Sequence, residues 1–286
     1  MTTIHKLPAS AGAEWLIGGL RLLRRSPMGL GTLGLLFGLL GLLANLSLQR
    51  SPETAMLLQL VFIVLGPLLL AGMVYAAREV DAGRPATPGH LLRGLQEGKA
   101  PRLLATLLPQ VAAVILLVLL LYVLVGPAEL ESMVGTLEKL QGQAQPDPAL
   151  VAQLPVRRIL LWLALAVAIG VLTGFFTFTA LPEMMFTDRG AFAAMGTSFR
   201  ACLRNLPAML VFFLLTAIAA VALQVLVLLL AAVIGAIAGA FAMQVIVQLV
   251  TMAVLMPVIT GAMYIAWKQM QGSPDAPPPV YHGIEA

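Results

Sequence analysis

The chain has 286 residues, is 60% hydrophobic and only 10% charged, and has a mean hydropathy of +0.95. A soluble domain carries about a quarter charged residues, so this balance excludes a soluble enzyme, a disordered chain and a disulfide-rich secreted module. Its 17 Lys/Arg, 13 Asp/Glu and single cysteine leave a net charge of +4 and no partner for an intrachain disulfide.

Residues 1–25 are too polar for a signal-peptide core, and no small-residue cleavage site follows the first apolar run, so this segment is expected to stay attached. Within it Glu14, Gly18, Arg21 and Arg25 fall on one helical face. Leu16, Leu20 and Leu23 fall on the other, with Trp15 at the edge. That spacing predicts an amphipathic helix lying in a membrane interface. Five charge-free stretches follow: Ser26–Gln49, Thr54–Ala77, Leu103–Ala128, Ile159–Pro182 and Asn205–Trp267, together 161 residues. A membrane helix needs about 20 residues. Each of the first four stretches therefore holds one span, and the 63-residue fifth holds two with a turn at Gly235 to Gly239. The predicted spans are 28–48, 54–77, 103–126, 159–181, 208–234 and 240–267, with a loop at 127–158. The fold class is all-α, a polytopic transmembrane bundle of six helices. Residues 1–271 form the membrane domain, and the proline-rich tail 272–286 is expected to be disordered.

Similar short amphipathic helices are expected before the third and fifth spans. In one, His90, Arg93 and Glu97 oppose Leu91, Leu92 and Leu95. In the other, Thr197, Arg200 and Arg204 oppose Phe192, Met195, Phe199, Leu203 and Leu206. Thr87-Pro88 and Asp188 are the expected N-cap starts. Each helix has a basic residue followed by a proline: Arg21/Pro27, Arg93/Pro101 and Arg200/Pro207. Gly66-Pro67 before Tyr75 echoes Met256-Pro257 before Tyr264. These echoes predict a three-fold repeat of interfacial helix, outward span and returning span.

With six spans, the N-terminal segment, 78–102, 183–204 and the tail share one side and hold 13 Lys/Arg. The opposite segments hold 4, namely Arg50, Lys139, Arg157 and Arg158. Positive residues stay inside, so both termini are expected in the cytoplasm of a bacterial inner membrane.

Gly12-Ala13-Glu14-Trp15-Leu16, Gly19-Leu20-Arg21-Leu22-Leu23-Arg24-Arg25-Ser26-Pro27 and the later Leu181-Pro182-Glu183, Asp188, Ala194, Ser198, Arg204-Asn205 carry a resemblance. They resemble a family of uncharacterised proteobacterial multi-span inner-membrane proteins. More distantly, the chain resembles the membrane domain attached to some glycerophosphodiester phosphodiesterases. The first resemblance implies six spans and no assigned activity. The phosphodiesterase's soluble catalytic domain is absent from this sequence, so the second carries no enzyme activity across.

No nucleophile-elbow, P-loop or metal-ligand spacing is present, and His5, His90 and His282 all fall in loops, so no cofactor or metal is expected. Gln110, Gln224, Gln244 and Gln248 lie inside predicted spans. They read either as interhelical hydrogen-bonding groups or as a polar path. Gly34-x-x-x-Gly38 reads as a face for packing within the bundle, or more sharply for homo-oligomerisation. Glu183 and Asp188 read as solvated or helix-capping carboxylates. Arg21, Arg24, Arg25, Arg93, Arg200 and Arg204 are candidate contacts for anionic lipid headgroups. Their short clusters abut membrane spans, which favours lipid over nucleic acid. Three functional classes follow: a non-enzymatic protein that organises lipid or protein partners, a small carrier or channel for an apolar or lipidic solute, and a membrane-embedded lipid enzyme.

Overall fold

Backbone in hydrocarbon must pair its own polar groups, and helix is the form that does so within one segment. In the computed structural model, which describes residues 4–48, 51–141 and 154–272, helix is the only regular structure among the described residues. In chain order these are α1 (Ala11–Arg25), α2 (Pro27–Ser47), α3 (Pro52–Asp81), a 3-10 turn (Pro88–Leu92), α4 (Arg93–Gln96) and α5 (Ala100–Leu104). Then come α6 (Leu107–Leu124), α7 (Pro127–Gln141), α8 (Val156–Thr177), α9 (Ala180–Phe186), α10 (Ala191–Arg204), α11 (Leu206–Ala238) and α12 (Ala240–Trp267). Among the described residues, six stretches are long and apolar enough to cross a membrane: Pro27–Ser47, Pro52–Asp81, Ala100–Leu124, Val156–Phe186, Leu206–Ala238 and Ala240–Gly272. The chain is an all-α, multi-pass helical membrane protein of six spans. The tail from 273 lies outside the described residues.

Local chemistry sets most of the boundaries. Proline opens α2, α3, α5 and α11 within the first two positions, where its missing N–H costs nothing. The expected turn at Gly235 to Gly239 shrinks to one residue. The helix continues to Ala238, and the chain reverses at Gly239, whose φ of 87° disfavours any side chain. The expected loop 127–158 opens with a helix instead: Gly126, at φ 87°, ends α6, and Pro127 starts α7. The expected surface helix at 90–97 is broken into a 3-10 turn and two short helices, because Gly98 takes φ 66° and Pro101 restarts the chain. Thr87 is the N-cap of that turn, its N–H donating to His90 Nδ1 at 3.3 Å. Asp188 is not a cap, since Gly190 precedes α10.

The chain divides into two compact units, residues 107–174 and the remainder. In the smaller unit α6 and α8 run antiparallel. Trp162 Nε1 donates to Leu117 O at 2.9 Å, and Arg158 reaches Glu129 at 2.6 Å.

The larger unit is built on α12, against which α1, α2, α3 and α11 all pack. Glycine is what lets them come close. A Cβ on Gly34 would lie 2.4 Å from Met252 O, and one on Gly38 would lie 2.7 Å from Met252 Cβ. The Gly34/Gly38 face is therefore consumed inside the chain. The same holds for α1, whose buried stripe is Ala11, Gly12, Trp15, Gly19 and Leu22. Cβ atoms on Gly12 and Gly19 would each lie 2.1 Å from a backbone oxygen, of Ala208 and Val258 respectively. α1 thus docks by its glycine stripe and not by the expected face of Leu16, Leu20 and Leu23, and Ile17 and Leu20 are left exposed. Phe37 meets Phe62 across α2 and α3 at 5.2 Å, Thr251 on α12 bonds Gln224 on α11, and Pro67 and Pro257 both sit buried inside helices.

Candidate functional site

The N-terminal segment and the end of α12 are tied together. His5 N–H donates to Met270 O at 2.8 Å, Leu7 N–H to Asn205 Oδ1 at 2.7 Å, and Asn205 Nδ2 to His5 O at 3.0 Å. The last turns of α3 and α12 and the segments 84–104 and 179–204 meet at this same end, called here the polar end.

Two carboxylates organise it. Asp81 closes α3, and its Oδ2 accepts from Tyr264 OH at 3.0 Å and from Lys268 Nζ at 2.7 Å. Arg25 at the end of α1 reaches its other oxygen at 3.9 Å. Asp81 thus joins α1, α3 and α12. Beside it a cavity of about 430 Å³ is lined by Arg25, Ser26, Asp81 and Arg84.

The second carboxylate, Glu183, corrects the sequence reading. It is not solvated: its side chain is 3% exposed. Oε2 accepts from Trp267 Nε1 at 2.5 Å, and Oε1 pairs with Arg189 Nη1 at 3.1 Å. Arg189 also donates to Thr197 Oγ1 at 3.3 Å. The position arises because the fourth span is broken. α8 ends at Thr177 and α9 restarts at Ala180. The Ser198 hydroxyl enters the gap, accepting from Thr179 N–H at 3.0 Å and donating to Phe175 O at 2.7 Å. A side chain inserted into the backbone ladder is a recognised cause of such a break. The break carries Glu183 to Trp267. Phe186 lies between the two carboxylate clusters, with ring centres 6.0 Å from Tyr264 and 5.2 Å from Trp267, under the Arg78 guanidinium at 4.8 Å.

A third group lies on 90–99. Glu97 takes Arg93 and Lys99, both at 2.7 Å, and Lys99 also donates to Met185 O. Burial raises the Glu97 carboxyl, but the hydrogen bonds from Lys99 and Arg93 outweigh it and hold it below the usual range. Burial lowers the His90 imidazole. Cys202 sits inside α10 rather than in a loop, and burial pushes its thiol up to about 12, which makes it a poor nucleophile.

The six candidate headgroup contacts separate into classes. Arg93 is paired with Glu97, Arg25 touches Asp81 at long range, and Arg200 Nε donates to Gly196 O at 3.2 Å. Arg21, Arg24 and Arg204 are exposed and make no ion pair with any described residue. The glutamines line neither the cavity beside Asp81 nor the groove between α1, α11 and α12. Gln224 is exposed but bonds Thr251, Gln244 is exposed, Gln248 is half-buried near Gly41, and Gln110 is an exposed residue of the smaller unit. Among the described residues, no three His, Cys, Asp or Glu side chains converge as metal ligands would. No protein-family model matches the chain, and no curated protein or solved structure is detectably similar to it.

Sequence reasoning missed Asp81, Tyr264, Trp267 and Lys268 as a group. One signal was available for Glu183. It is the only charge in Ala180-Leu181-Pro182-Glu183-Met184-Met185-Phe186, and a lone ionisable residue in an apolar span is a functional-site hypothesis by default.

Proposed function

We propose that this is a multi-pass protein of the bacterial inner membrane with both termini in the cytoplasm, and that it works by binding. Its polar end gathers anionic lipid headgroups, or a protein partner, without chemistry of its own. The observation that carries this reading is the division of its cations. Arg25, Arg84, Arg93, Lys99, Arg102, Arg189, Arg200 and Lys268 are held in ion pairs or backbone bonds at the polar end, while Arg21, Arg24 and Arg204 make no ion pair with any described residue and lie on amphipathic helices that abut spans. Exposed apolar neighbours, Ile17 and Leu20 on α1 and Phe192 and Leu203 on α10, favour a membrane surface over nucleic acid.

Orientation rests on the thirteen-to-four distribution of Lys/Arg. A reporter fused after Ala286 should be active only as the cytoplasmic type, and a tag near Gln143 should be reached from outside. A periplasmic C-terminus overturns this orientation.

Lipid selection is tested in nanodiscs of mixed phosphatidylglycerol and phosphatidylcholine, by counting the lipids that stay with the protein on extraction. The native chain should be enriched in phosphatidylglycerol. Changing Arg21, Arg24 and Arg204 together to Gln should remove most of that enrichment, at about 1 kcal/mol per arginine. Equal enrichment in both overturns the reading.

A carrier is the second reading. The broken fourth span and the buried Glu183–Arg189 pair favour it, because transporters use discontinuous helices and intramembrane charge.

A further inference from the structure

A cavity of about 270 Å³ opens on the flank of the larger unit between α1, α11 and α12. Ile17 and Leu20 form one wall, Ala219 and Leu223 the second, Val254 and Val258 the third. Thr216 is the one polar residue lining it. α11 and α12 are spanning helices, so the medium that meets this groove is hydrocarbon rather than water.

Side chains four apart stack on one helical face. Arg21 therefore follows Ile17 on the outer face of α1, and Arg24 follows Leu20. Ile17 is 54% exposed and Leu20 36%. Both arginines are exposed and without an ion pair among the described residues. An apolar slot thus ends at a pair of free cations on the same stripe. One turn of a helix, about 10 Å across and about 5.4 Å long, needs more than that 270 Å³, whereas a stretch of a single hydrocarbon chain does not.

We propose that this groove is a binding site for one anionic phospholipid, with an acyl chain between α1, α11 and α12 and the phosphate on Arg21 and Arg24. The proposal rests on the lipid-binding reading and gives it an address: the glycine-docked helix forms one wall of the slot and also carries the headgroup site.

The test uses the full chain in nanodiscs containing phosphatidylglycerol with a photoactivatable diazirine on its acyl chain. Adducts should concentrate on 16–20 and 216–223, and unlabelled phosphatidylglycerol should compete where phosphatidylcholine does not. Adducts spread evenly over the exposed faces of α6 and α8 overturn the site. Ala219→Trp fills the slot from an exposed position and should cut adduct yield severalfold with an unchanged melting temperature. Arg21→Gln and Arg24→Gln should each weaken phosphatidylglycerol competition about fivefold, the weight of one basic side chain at an anionic surface. If the arginine variants lose lipid but Ala219→Trp does not, surface lipid binding stands and the groove is overturned. If neither loses lipid, both fall. Crosslinks to a second copy of the chain at 16–20 would replace the lipid by a dimer contact and overturn the site.

Discussion

Glu183→Ala should destabilise the protein by about 3 kcal/mol, measured by equilibrium unfolding in mixed micelles. Removing one partner of a buried ion pair typically costs about 3–5 kcal/mol, because the other charge is left behind. Arg189 is 26% exposed and recovers some hydration, which places the value at the low end. The Trp267 N–H, buried with its ring, loses its acceptor as well, at about 1–3 kcal/mol. Glu183→Gln keeps an oxygen for Trp267 and should lose about half as much. Asp188 is fully exposed and 3.7 Å from Arg102, so Asp188→Ala should leave the unfolding midpoint unchanged. If Glu183→Ala and Asp188→Ala unfold alike, the buried cluster holds nothing together.

The second large effect is at the glycine stripe of α1. Alanine is the better helix former by about 1 kcal/mol, so on propensity alone Gly12→Ala and Gly19→Ala would stabilise. The geometry says the opposite. A Cβ would sit 2.1 Å from Ala208 O in one case and 2.1 Å from Val258 O in the other, where the obstacle is backbone and cannot swing aside. Overpacking of this kind costs about 1–3 kcal/mol for an added methyl and more for larger groups. An approach of 2.1 Å to backbone puts the clash at the upper end of that range, so Gly19→Ala should lose roughly 2 kcal/mol net after the propensity gain. Gly19→Leu should undock α1 and expose the chain near Arg21 and Arg24 to trypsin. Gly170, helical with nothing within 4 Å of its Cβ position, is the control, and Gly170→Ala should gain stability. Undiminished stability in Gly19→Ala would mean α1 is not seated on α12 as described.

The spans were legible because they are written in charge, and charge-free runs of helical length leave few alternatives in a membrane. What escaped sequence reading was written in other terms. The stripe Gly12, Trp15, Gly19 reads as neutral in an amphipathicity pattern, because a glycine has no side chain to weigh; its contribution is the close approach it permits. The gap between α8 and α9 falls inside an unbroken charge-free run. Its cause is the hydroxyl of Ser198, which lies 19 residues from Thr179. Glu183 was assigned to water because carboxylates usually go there, and its partner Trp267 is 84 residues away. In each case the deciding atom belongs to another segment. The arginines were placed on helix faces by spacing alone, but which ones are free depends on carboxylates that the pattern does not pair with them.

The tie between α1 and the end of α12 also sets an order of events during synthesis. Trp15 Nε1 donates to Gln269, 254 residues later in the chain. At about 5–20 residues per second, the ribosome takes some 10–50 s to make that partner. Until α12 is made, Gly19 has no Val258 to dock on, and that end of the glycine stripe is bare. The first helix made is thus among the last to be locked, and a chain that stops short of α12 never closes its own beginning.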